Sequence, residues 1–155
     1  MIGFALAGAL ACDLPMDVSN SERDIHDAFS AHSVKIMELA AKKDANTLNG
    51  LISEDADWRL GAGDVGLPMG DGVEGALKSA DWINPTRYQH FGWDYMDSEK
   101  DPCGKVTVDV AFISDRKDST AMIVNMKFEY LEGQLMKAHG WARSLNEGDL
   151  KGAFS

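Results

Sequence analysis

The chain has 155 residues, 45% of them hydrophobic and 26% charged, with a formal net charge of -10. That length suits one domain with a substantial core, and the composition excludes disordered, collagen-like and disulfide-scaffold classes. Fifteen Lys and Arg against 25 Asp and Glu make nucleic acid a poor partner, because phosphate binding draws on clustered cations.

The first twelve residues, MIGFALAGALAC, carry no charge and are almost wholly apolar. They match the apolar core and small-residue end of a secretory signal, without a basic segment ahead of it. Export to the periplasm or outside the cell is therefore expected. A lipid anchor on Cys12 is an alternative, although Ala9 stands where such sites usually have Leu. An ordinary apolar arm on a cytoplasmic protein is a third reading. Residues 1–20 are leader and linker, 21–145 the domain, and 146–155 a tail. Cys12 and Cys103 form no C-x-x-C pair and are read as two unpaired thiols.

Apolar periodicity predicts a first helix from Ser21 to Lys43, with Ile25, Phe29, Ile36, Leu39 and Ala40 on one stripe. Asp44 caps a short second helix carrying Leu48, Leu51 and Ile52. Ala56, Trp58 and Leu60 then alternate with Asp57 and Arg59, the period of a half-buried strand. Residues 61–72, GAGDVGLPMGDG, lack a P-loop ending and are expected to form a surface loop at a pocket mouth. A third helix runs from Gly72 to about Trp82 and ends before Pro85.

Four strands follow: Arg87–Tyr95, Lys105–Ser114, Ala121–Leu131 and Gln134–Leu145. The second is the clearest, Val106, Val108, Val110 and Phe112 alternating against Thr107, Asp109, Ala111 and Ile113. Glu132-Gly133 is a tight hairpin turn. In the last strand His139 and Trp141 share a face with Lys137 and Arg143. The opposite face has only Met136, Ala138, Gly140 and Ala142, so its phase stays open.

At this point the chain resembles the nuclear transport factor two-like superfamily, also called cystatin-like or SnoaL-like. The residues carrying the likeness are IMELAAKKDANTLNGLISEDADW at 36–58 and the meander VTVDVAFIS…AMIVNMKFEYLEGQLMKAHGWARSL at 106–145. The resemblance implies an α+β fold, a curved antiparallel sheet making a cone-shaped half barrel on three N-terminal helices. It also implies an apolar pocket inside the cone, a homodimer through the outer sheet face, and no metal, nucleotide or other cofactor. A small apolar or carbonyl-containing ligand is the expected partner. The first functional reading is a binding domain. The alternatives are a cofactor-free lyase, isomerase or hydrolase using Asp/His acid–base chemistry, and a dimeric interaction module.

The candidate catalytic residues are His139, His90, Asp57 and Asp109, with Trp58, Tyr88, Trp93 and Trp141 as pocket walls. Strand phase argues against two of them. If Val106, Val108 and Val110 face the core, Asp109 points to the outer face, and His90 does the same if Phe91 and Trp93 face inward.

Overall fold

The computed structural model describes residues 22–62, 65–89, 103–114 and 122–144. The leader, the tail, His90 and Trp93 lie outside the described residues. The elements are α1 (Glu22–Ala41), α2 (Ala45–Leu48), β1 (Ile52–Ala62), β2 (Val65–Asp71), α3 (Gly72–Ile83), β3 (Pro85–Gln89), β4 (Lys105–Ser114), β5 (Met122–Leu131) and β6 (Gln134–Ser144).

α1 ends because Lys43 adopts a left-handed φ of 60. The Asp44 amide then donates to the Leu39 carbonyl and the Lys43 amide to that of Ala40. This pattern satisfies carbonyls that the helix end would otherwise orphan. Asp44 at once caps α2, its Oδ1 accepting from the Thr47 amide at 3.2 Å. Asn84, left-handed at φ 45, closes α3 immediately before Pro85.

The six strands form one sheet in the order β2-β1-β6-β5-β4-β3. The expected curved α+β sheet is present, with three corrections. The β1–β6 pair is parallel, so the sheet is mixed rather than wholly antiparallel. The third helix follows two strands, where the sequence reading has one before it. The glycine-rich stretch expected to be a loop is the edge strand β2, paired with β1 from Asp57↔Asp71 to Ala62↔Val65. An edge strand tolerates Pro68 and weak apolar patterning because one side makes no ladder. Register shifts lie between β1 and β2 and between β5 and β6, and such bulges add local twist and bend.

The core lies between the helices and one sheet face. Trp58, Phe29, Phe112, Phe128 and Tyr130 are its largest fully buried side chains. Phe128 meets both Trp58 and Phe112 edge-on, with ring centroids 6.4 Å apart in each case. The Ser33 hydroxyl donates to the Phe29 carbonyl at 2.8 Å. The Tyr130 hydroxyl therefore donates to Ser33 Oγ at 2.7 Å, which anchors α1 to β5. Burial pushes the Tyr130 hydroxyl well above the usual tyrosine range. The hairpin Glu132-Gly133 has positive φ at both residues, as a two-residue turn of this twist requires.

Cys103 is disulfide-bonded, which corrects the expectation of free thiols. The sequence holds one other cysteine, Cys12.

Candidate functional site

The opposite sheet face carries no helix among the described residues. Its side chains fall into rows set by strand register. One row aligns Gly66 on β2, Gly61 on β1, Trp141 on β6 and Asn125 on β5. The next aligns Pro68, Arg59, His139, Lys127 and Asp109 across β2, β1, β6, β5 and β4. A third aligns Asp71, Asp57, Lys137, Glu129 and Thr107 across the same five strands.

The glycines explain how Trp141 lies. Both of its row neighbours toward the sheet edge lack side chains, so the indole can spread across them. A Cβ at Gly66 would come within 3.5 Å of Trp141 Cη2, ordinary van der Waals contact. Trp141 remains 46% exposed, a large apolar surface that the folded chain leaves open to water.

Beside it, Asp57 Oδ2 accepts from His139 Nε2 at 2.8 Å and from Arg59 Nε at 3.1 Å. Partial burial pushes the Asp57 carboxyl up, but the His139 and Arg59 hydrogen bonds outweigh it and hold it below the usual carboxylate range. An ionised Asp57 can only accept, so His139 Nε2 must carry a hydrogen. Nδ1 is then the nitrogen left for chemistry. These residues enclose an open cavity of about 450 Å³ lined by Asp57, Arg59, Gly66, His139, Gly140 and Trp141.

The structure thus brings Asp57, His139 and Trp141 together, on the outer sheet face and not inside a cone. Asp109 is on that same outer face, four strands across the sheet from the β2 edge and half-buried, and it does not line the cavity. Trp58, expected on a pocket wall, is fully buried in the core. Tyr88 is on β3 opposite Phe112 in backbone register. Sequence reasoning missed Gly66, Gly140 and the role of Arg59 as the second donor to Asp57. The i,i+2 spacing of Asp57 and Arg59 on a strand was the available signal, since it puts both side chains on one face.

A second set of polar groups lies inward. His32 Nε2, Trp58 Nε1 and Ser79 Oγ are buried and have no hydrogen-bond partner among the described residues. Burial pushes the His32 imidazole below its ordinary value.

No protein-family model matches the sequence, and no curated protein does either. Solved structures similar to this chain include a natural NTF2-like protein and a designed NTF2-fold protein. One is a hexachlorocyclohexane dehydrochlorinase of LinA type from Novosphingobium barchaimii: 18% identity, 79% of this chain and 92% of that one, TM-score 0.43. A second is a de novo designed protein of the same fold, at 11% identity over 81% and 90% of the two chains, TM-score 0.45. A third is an NTF2-like protein of unknown function from Cytophaga hutchinsonii, at 7% identity over 83% and 95%, TM-score 0.41. No residue role is carried across from these proteins.

Proposed function

We propose that this chain is a small-molecule-binding domain whose site is the outer-face cavity between β1, β2 and β6. The observation that carries the reading is the convergence of an oriented imidazole, a guanidinium and a half-exposed indole on one concavity of about 450 Å³. That volume is within the usual range for small-molecule sites, roughly 300–1,000 Å³. An apolar wall beside a few fixed polar groups is the common pattern of such sites.

Protein-observed NMR with a set of neutral, anionic and cationic aromatic fragments tests it. The Trp141 indole signal is assigned by its loss in Trp141→Phe. Fragments that bind are expected to shift the Trp141 and His139 signals together. Shifts confined to Trp58, or none across the set, would refute the reading.

The Asp57–His139 contact favours a second reading on the same site. A carboxylate that fixes Nε2–H leaves Nδ1 as a proton acceptor, the geometry of a general base. Incubating the protein in D₂O with carbonyl compounds that carry acidic α-hydrogens tests this. Deuterium incorporation that disappears in His139→Ala supports proton transfer, and absence of incorporation across the panel removes it.

A further inference from the structure

We propose that this cavity selects flat monocarboxylates, an aromatic acid above all, with the carboxylate on the Arg59 guanidinium and the ring on the Trp141 indole. The inference rests on the binding reading above and names its ligand class.

Three observations lead there. First, Arg59 spends only its Nε hydrogen, on Asp57 Oδ2 at 3.1 Å. Its terminal N–H groups have no partner among the described residues, and the side chain is 51% exposed. Asp57 thus holds the guanidinium in place while its fork stays open. A fixed fork matches the two oxygens of a carboxylate, which a point-charge ammonium does not.

Second, Trp141 lies one row away on the adjacent strand, flattened over Gly66. It and Arg59 line the same cavity, so one planar ligand can reach both. At about 450 Å³ the cavity suits a one- or two-ring ligand better than a long chain.

Third, this face is less acidic than the molecule as a whole. The chain carries a net -10. On this face, among the described residues, Arg59, Lys127, Lys137 and Arg143 stand beside Asp57, Asp71, Glu129 and Asp109. Asp57 already accepts two hydrogen bonds on one oxygen, and Glu129 pairs with Lys137 at 3.7 Å. Lys127, in register with His139, has no ion-pair partner among the described residues. An incoming anion meets uncommitted donors. Asp57 is the carboxylate in the cavity lining, so a cation bound there would have to compete with Arg59 and His139 for it.

The test is titration of the full chain with benzoate, benzamide and benzylammonium, three probes of nearly one shape and three charge types. Binding is read from the Trp141 indole signal. Benzoate is expected to bind at least tenfold more tightly than benzamide. Arg59→Gln should erase that difference, and Arg59→Lys should restore only part of it, because charge returns without the fork. Circular dichroism and thermal unfolding check that both variants fold. Equal or tighter binding of benzamide or benzylammonium would overturn the proposal, as would a benzoate preference that survives Arg59→Gln. Silence from all three probes would overturn the acid class too. The binding reading would then stand or fall separately, on whether other fragments in the wider set shift Trp141.

Discussion

Replacing Gly75 by Ala sets two known effects against each other. In an isolated helix Ala is favoured over Gly by about 1 kcal/mol, so α3 should gain. In the folded protein the new Cβ would lie 2.4 Å from Trp58 Cδ1 and 2.6 Å from the Gly70 carbonyl oxygen. Carbon–oxygen contacts normally stay beyond about 3.3 Å, so the shortfall is on the order of an ångström. The carbonyl belongs to the β2 backbone and cannot rotate away. The indole is fully buried and packed edge-on against Phe128. α3 must therefore move off β1 and β2. Overpacking of this kind costs about 1–3 kcal/mol, and we expect a net loss in that range. For a chain this long the melting temperature should fall by roughly 2–12 °C. Urea unfolding should show a lower midpoint at unchanged slope. Because Trp58 lies between Asp57 and Arg59 on β1, the Trp141 and His139 NMR signals should also move. A variant as stable as the parent, or more so, would mean that α3 is not pressed onto Trp58, and the packing argument would fail.

Ser79→Ala, one turn further along α3, should act in the opposite direction. It removes a buried hydroxyl that lacks a partner and adds helix propensity, for a gain of about 0.5–1.5 kcal/mol; a loss in urea unfolding would mean the hydroxyl is satisfied. Tyr130→Phe deletes one buried hydrogen bond, to Ser33, and should cost about 1 kcal/mol by the same assay, with no change counting against that bond. His32 is held below its ordinary value of 6.5 by burial. The unfolded chain therefore protonates first, and stability present above about 6.5 is lost as pH falls toward the folded value. His32→Met should flatten this acid limb, and an unchanged pH profile would show that His32 does not contribute to it. The disulfide at Cys103 predicts that Cys103 in denatured, unreduced protein takes up no thiol-alkylating reagent, and a labelled Cys103 peptide in mass spectrometry would refute it.

Much of the architecture was legible because it is written in short-range periodicity. The alternation from Val106 to Phe112 predicted both the strand and its buried face, and Asp109 is on the other side as the phase demands. The Asp44 cap and the Glu132-Gly133 turn depend on local backbone chemistry, and both form where expected. β2 was hidden because an edge strand with two glycines and a proline needs little apolar patterning. The parallel pairing of β1 with β6 was hidden for another reason: strands joined by short turns announce their pairing, and strands some eighty residues apart do not.

The site depended on that hidden pairing. The Asp57–His139 contact spans 82 residues, and no local spacing specifies it. The phase of β6 was open in the sequence because its two faces offered either small residues or His139 and Trp141. Packing decided it. Trp58, Leu60, Met126 and Phe128 from the neighbouring strands already fill the core. A Cβ at Gly140 would meet Leu60 and Met126 at 2.8 Å, so only the small face of β6 fits inward. His139 and Trp141 were thereby turned outward, onto the face with Asp57 and Arg59. Composition and periodicity determined that this chain makes helices packed on a sheet. Volume in the core, which only the assembled tertiary structure sets, decided which residues of that sheet meet a ligand.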